Sequence, residues 1–462
     1  MKITWIALAL AICACSAPAR DQPAATAITN VHVLDGRGGT DAPLRTVIIE
    51  NGMISAVLPA DVAVASSRRV IDGESGYLLP GFIDAHVHIL VPRCEENDAR
   101  PLTFDRALSE HVLSTLLDSG ITTVRSPATP TIEGLALRDD LDSGAVRGPY
   151  ALASAEFIND SSLSPDALRA IVRAAMPYRP DYFKVYAALS PEQIATVIDE
   201  AHGNGVPVIG HLGRTSWRQG AELGIDFLTH AVDWSEETLP PDRREAYRAA
   251  KRERGAIRAR LDWLELLDLN SVQISQMIDA LVAHHIPVDP TLVAYDAKFS
   301  APDYPRYRNN PNVDVVPEVS AGWRACPSLA DDWTEEDFAR WRRLFPKMQA
   351  LVRMMHDRGV VLMTGSDTTN EWVIPGESLH QEFELLVETG IPASEVLRMT
   401  GEGTADALGL NDRGVIAPGR RADLVLLLAS PLEDIRNTRR IAWVMQAGVL
   451  AQPSGPRPSE HR

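Results

Sequence analysis

From residue 82 to residue 364 the chain repeats one alternation, a short apolar run followed by a stretch with helical spacing. The runs fall at residues 82–90, 122–124, 150–153, 182–186, 206–211, 226–230, 287–291 and 360–364, eight in all. Strands that alternate with helices predict parallel β-α-β units, and eight of them predict a (β/α)8 TIM barrel of the α/β class. Residues 190–203 show the helical half of the pattern, with Ser190-Pro191-Glu192 as cap and first turn. Residues 242–260 are charge-dense and helical, and read as a solvated insertion rather than a binding surface. Residues 293–332 form the longest stretch without a readable pattern.

A barrel takes about 250 residues, so a chain of 462 has material left at both ends. Short β-like runs occupy residues 27–34, 46–50, 53–58 and 70–71, with Glu50-Asn51-Gly52 as a hairpin signal. Similar runs recur at residues 422–428, 441–446 and 449–450. Residues 27–79 and 411–453 are therefore expected to build one small β-sandwich domain around a barrel at 80–410, with 454–462 as a tail.

The N-terminus reads as an address. Lys2 precedes an apolar run at residues 3–12, too short for a mature membrane span and suited to a signal-peptide core. Ile12-Cys13-Ala14-Cys15-Ser16 resembles a bacterial lipobox with Cys15 as the lipidated residue. Cleavage near Ala17 or Ala19 would instead give a soluble exported protein. Both readings put the mature chain in the periplasm or cell envelope, with residues 1–15 as leader and 16–26 as tether. Any membrane contact is then through a lipid anchor. The net charge of −17 argues against nucleic acid, whose phosphates call for clustered Lys and Arg.

In a barrel, chemistry gathers where the strands end. The first run offers His86 and His88, the fourth Lys184, the fifth His211, the sixth His230 and the eighth Asp367. If the first run is a strand, Asp84, His86 and His88 share one face. Alone, each histidine has a plain reading as a hydrogen-bonded core residue, Asp367 as a helix cap and Lys184 as an ion-pair partner. Together, at the same ends of successive strands, they form a metal-ligand set. His380, in a helical stretch, reads as structural.

The chain resembles the amidohydrolase superfamily, in the branch of imidazolonepropionase-like enzymes and Xaa-Pro dipeptidases. The likeness is carried by Pro80-Gly81-Phe82-Ile83-Asp84-Ala85-His86-Val87-His88, Phe183-Lys184-Val185, Thr364-Gly365-Ser366-Asp367, Ser378-Leu379-His380-Gln381-Glu382 and Pro418-Gly419 with Ala422-Asp423-Leu424-Val425. It implies a binuclear hydrolase that cleaves the C–N bond of an amide, dipeptide or cyclic amide. Two divalent cations, zinc foremost, would be held by His86 and His88 and by His211 and His230. Lys184, carboxylated, would bridge them. Asp367 would lie beside the first and serve as the catalytic base. A mononuclear deaminase and a non-catalytic zinc-holding lipoprotein are the alternatives; a carrier needs ligands but no poised base.

Arg125, at the end of the second strand, offers a bidentate grip for a substrate carboxylate, and Asp84 a supporting position behind the ligands. Related sequences often place Asp after this Arg, where Ser126 stands here. Once the leader is removed, Cys94 and Cys326 remain, and export would let them pair as a disulfide across the pocket mouth. No Cys-x-x-Cys pair supports a zinc ribbon or a thioredoxin-like site. The substrate is a small molecule or dipeptide, with its identity and the oligomeric state left open.

Overall fold

The computed structural model describes residues 25–63, 69–93, 103–300, 304–326 and 328–451. The leader, Cys15, the tether, Cys94 and the C-terminal tail lie outside the described residues. Cys326 is disulfide-bonded, and the chain's three other cysteines, Cys13, Cys15 and Cys94, all fall outside them.

The barrel forms as two parallel ribbons. Phe82–Asp84, Ile121–Ser126 and Tyr150–Ala153 make one; Phe183–Val185, Val208–Gly210, Phe227–Thr229 and Val288–Asp289 make the other. A parallel bridge from Ser154 to Tyr182 joins the ribbons, and one from Val288 to Leu362 adds the eighth strand. The ring closes where Ala85 N–H donates to Thr364 O at 2.8 Å and Val87 bridges Thr368.

The first strand is shorter than the expected run over residues 82–90. It ends at Asp84 because that carboxylate accepts the His86 backbone N–H at 3.1 Å and turns the chain out of the ladder. His86 and His88 therefore stand on the loop just beyond the strand.

One layer of side chains fills the barrel: Ile83, Leu152, Tyr182, Ile209, Phe227 and Met363 form a single buried cluster. Side chains two apart on a strand share a face. Lys184 follows Tyr182 and His211 follows Ile209 at that spacing, so both rise from this apolar floor towards the strand ends.

The small domain is an eight-stranded sheet built from both termini. Its order runs Val449–Leu450, Ile441–Gln446, Leu424–Leu427, Tyr77–Pro80, Thr26–Val33, Leu44–Glu50, Met53–Pro59, with Arg69–Asp72 beside Thr26–Val33. Leu424–Leu427 pairs antiparallel with Tyr77–Pro80, the segment that leads directly into the barrel. Ile28, Val47, Leu78, Leu424 and Met445 pack a core separate from that of the barrel.

Two helical features matter for the site. The charge-dense stretch is helical over Arg244–Leu266, longer than expected, and is broken at Gly255, whose φ of 78° is non-helical. The patternless stretch begins with a helix, Leu292–Phe299, whose residues are almost all buried. Its near-complete burial hid it, because a helix buried almost all round shows no clear amphipathic period.

Candidate metal centre

Asp367 is the hub of the strand-end cluster. Its Oδ1 lies 3.1 Å from His88 Nε2 and 3.3 Å from His86 Nε2, and accepts from Asn370 Nδ2 at 2.7 Å. One ligand atom from each of His86, His88 and Asp367 fits within 4.8 Å of the others. Across the barrel mouth, His230 Nε2 and His211 Nδ1 lie 2.8 Å apart. The His86 and His230 rings stand 5.0 Å apart and join the two groups.

Each ring is fixed from behind. His86 Nδ1 meets Asp289 Oδ1 at 2.7 Å, which leaves the Nε2 lone pair facing Asp367. His230 Nδ1 meets Thr291 Oγ1 at 2.8 Å, and His88 Nδ1 meets Ala128 O at 3.3 Å. His211 is stacked on Tyr186 at 4.1 Å. The backbone is bent to the same end: His230, Thr291 and Asp367 all have positive φ, at 80°, 44° and 64°. Such conformations cost about 1–3 kcal/mol each and gather at functional sites.

The electrostatics suit cation binding. Burial holds His86, His211 and His230 below the ordinary imidazole range, so their nitrogens stay unprotonated and can donate to a metal. Burial opposes ionisation of Asp367, but His86, His88 and Lys298 outweigh it and keep the carboxyl well below its usual range. Lys184 Nζ donates to Thr229 Oγ1 at 3.2 Å. Burial, opposed by Asp289 and reinforced by Arg125, brings its ammonium down to about 7. These donors match what a divalent cation takes: neutral imidazoles and an ionised carboxylate, with an apolar floor beneath.

Two expected roles are now placed. Asp84 is fully buried, and its carboxylate accepts from Ser366 N–H at 2.9 Å and Ser366 Oγ at 2.6 Å as well as from His86 N–H. It clamps the Asp367 loop to the His86 loop, the supporting position expected of it. Arg125 differs from the expectation. It is fully buried, with Nε donating to Ala85 O at 2.8 Å and Nη2 to Asp289 Oδ2 at 2.5 Å. Its guanidinium packs 5.0 Å over the Phe227 ring, inside the barrel. A group committed beneath the ligands cannot present a fork to substrate, so Arg125 orients Asp289 instead.

His380 is structural, as read. It packs edge-on to Phe82 at 5.6 Å and meets Thr438 Oγ1 at 3.0 Å.

Asp289 is the residue sequence reasoning missed. It ends the seventh run as Asp289-Pro290, where a turn is the ordinary reading. The signal was positional, since Asp289 closes the seventh strand, Val288–Asp289, at the same end of the barrel as the histidines. Lys298, with Nζ 3.8 Å from Asp367 Oδ2, was missed because its helix was missed.

Asp289→Asn should lower zinc affinity by about 10–100-fold, through looser support of His86. It should also destabilise the fold by about 3–5 kcal/mol, because Arg125 is left buried without its counter-charge. Chelator competition and thermal unfolding measure the two effects. Unaltered zinc affinity would remove Asp289 from the support of His86.

The amidohydrolase family's sequence profile matches residues 77–451. The chain is 23% identical over 246 residues to an imidazolonepropionase of Pseudoalteromonas atlantica, a match spanning 42% of this chain and 59% of that relative. It is 24% identical over 393 residues to an allantoinase of Streptomyces avermitilis, covering 82% of each. Among solved structures, a Xaa-Pro dipeptidase with methionine bound in its active site superimposes with a TM-score of 0.66 at 19% identity. That superposition covers 92% of this chain and 99% of the dipeptidase, which places the barrel and its small companion domain in a known architecture. With the family profile spanning the whole barrel and four of the eight strands of the composite sheet, the chain belongs to the amidohydrolase family of hydrolases.

Proposed function

We propose that the protein hydrolyses the C–N bond of a small amide or dipeptide with the help of two divalent cations, zinc foremost. The observation that carries this reading is the convergence of four histidines, Lys184 and an ionised Asp367 at one end of the barrel. His86 and His88 would hold one cation, and His211 and His230 the other. When bound, such cations act as Lewis acids that polarise a carbonyl and lower the pKa of water from 15.7 to about 7.

The chain's own groups supply the rest. Asp367 is kept ionised and so can accept the proton of the attacking water, then deliver it to the departing nitrogen. Lys184, with its ammonium down at about 7, carries a free amine pair over much of the neutral range. Attack of that pair on carbon dioxide forms an N–C bond and releases a proton, which turns an unfavourable buried cation into an anionic ligand.

Export is part of the proposal. The apolar run at residues 3–12 and Cys15 support a lipid-anchored protein working outside the cytoplasm. Among the described residues, no helix is long and apolar enough to cross a membrane. Cys15→Ala should move the protein from the membrane fraction to the soluble fraction of cells; unchanged fractionation would exclude the anchor.

Protein purified without chelator should hold two equivalents of metal, and Lys184→Ala should lose at least one. A single equivalent that does not change on adding zinc and bicarbonate would favour the mononuclear, deaminase-type reading.

Asp367→Asn separates binding from chemistry. It should retain metal while hydrolysis falls by about 10²–10⁴-fold, the usual cost of losing a general base. Near-full activity in that variant would remove Asp367 from the mechanism.

A further inference from the structure

The helix Arg244–Leu266 is ringed by ion pairs. Arg248 meets Glu236 at 2.7 Å, Arg252 meets Glu245 at 2.8 Å, Arg254 meets Asp262 at 2.9 Å and Arg258 meets Asp337 at 3.2 Å. Arg260 breaks the pattern. Among the described residues it makes no hydrogen bond and no ion pair, although it is only partly exposed. Its guanidinium instead lies over the Trp234 ring, 5.1 Å from the centroid.

That ring leads to the metal centre. Trp234 Nε1 donates to the Tyr295 hydroxyl at 3.1 Å, and Tyr295 stands edge-on to His230 at 5.8 Å. Arg260 is thus linked to His230 through Trp234 and Tyr295. Lys298, one helical turn beyond Tyr295, adds a second cation 3.8 Å from Asp367 Oδ2. Asp367 is the one carboxylate in contact with Lys298 among the described residues, and its Oδ1 is directed at His86 and His88. The opposite side of His211 is covered by the stacked Tyr186, with Phe157 5.2 Å further out and 47% exposed. The mouth therefore pairs an aromatic wall with two cations, of which Lys298 has Asp367 beside it and Glu371 acting on its charge, while Arg260 has no contacting carboxylate among the described residues.

We propose that Arg260 is a specificity-determining residue that binds the carboxylate of an anionic substrate, with Lys298 as the second cation. Resting on the hydrolase reading above, this narrows the substrate from amides in general to N-acyl amino acids and dipeptides with a free carboxylate beside the scissile bond. A guanidinium held by ring stacking is already oriented, so little freedom is lost when the fork takes up two carboxylate oxygens. A neutral amide would leave the Arg260 guanidinium without an anionic partner.

The test compares N-acyl amino acids and dipeptides with their matched C-terminal carboxamides, on zinc-loaded full-length protein. The wild type should favour the acid over the carboxamide in kcat/KM. Arg260→Gln should reduce that preference by about 10–100-fold, mostly through KM, as for one lost charged hydrogen-bonding group. Arg252→Gln, before the break at Gly255 and paired at the surface, should keep the preference. Equal turnover of acid and carboxamide by the wild type, or an equal loss on both in Arg260→Gln, would overturn the proposal while leaving the hydrolase reading intact. If no member of the panel is turned over, the hydrolase reading fails for this substrate class. Calorimetric binding of the same acids and carboxamides then decides the role of Arg260: tighter binding of the acids that is lost in Arg260→Gln supports it, and no difference overturns it.

Discussion

The metal centre hangs on one buried ion pair. Arg125 and Asp289 face each other inside the barrel, both without solvent exposure, and the second oxygen of Asp289 holds His86. A charge buried in this way is tolerated only when paired and hydrogen-bonded. The pair therefore cannot relax without exposing a cost of several kcal/mol. That rigidity passes to His86 through a 2.7 Å contact and to the first strand through the Arg125 bond to Ala85 O. The first, second and seventh strands are thus tied together at the level where the histidines emerge.

Above this lock, the positions of the ligands depend on loops rather than on strands. At the first, sixth and eighth strands the backbone leaves the ladder at the residues that carry the cluster. Asp84 captures the His86 and Ser366 amides, and the His230, Thr291 and Asp367 backbones enter the left-handed region. The apolar layer of Ile83, Ile209, Phe227 and Met363 keeps water out from below. The histidines stay neutral on that floor, which is the state a cation requires.

What the sequence revealed follows from how local the signals were. Strand-to-strand alternation and polar residues near the strand ends are local features, so the barrel and the cluster of His86, His88, Lys184, His211, His230 and Asp367 at its mouth could be read directly. Arg125 was placed at the right strand end but in the wrong role, since its partner Asp289 is 164 residues away. Asp289 itself was masked by the following proline. The helix Leu292–Phe299 was invisible because burial on all sides erases the periodicity that marks a helix. Arg260 sat within a charge-rich stretch whose other arginines are surface pairs, and only the fold separates it from them.

The composite sheet also orders events in time. Tyr77–Pro80 pairs with Leu424–Leu427, so a strand made early waits for one made near the end of synthesis. At about 5–20 residues per second the wait is roughly twenty seconds to over a minute. Throughout it, one edge of the N-terminal sheet lacks its neighbour and can recruit other strands. A newborn chain of this design depends on something keeping that edge covered until its last strands arrive, whichever side of the membrane it folds on.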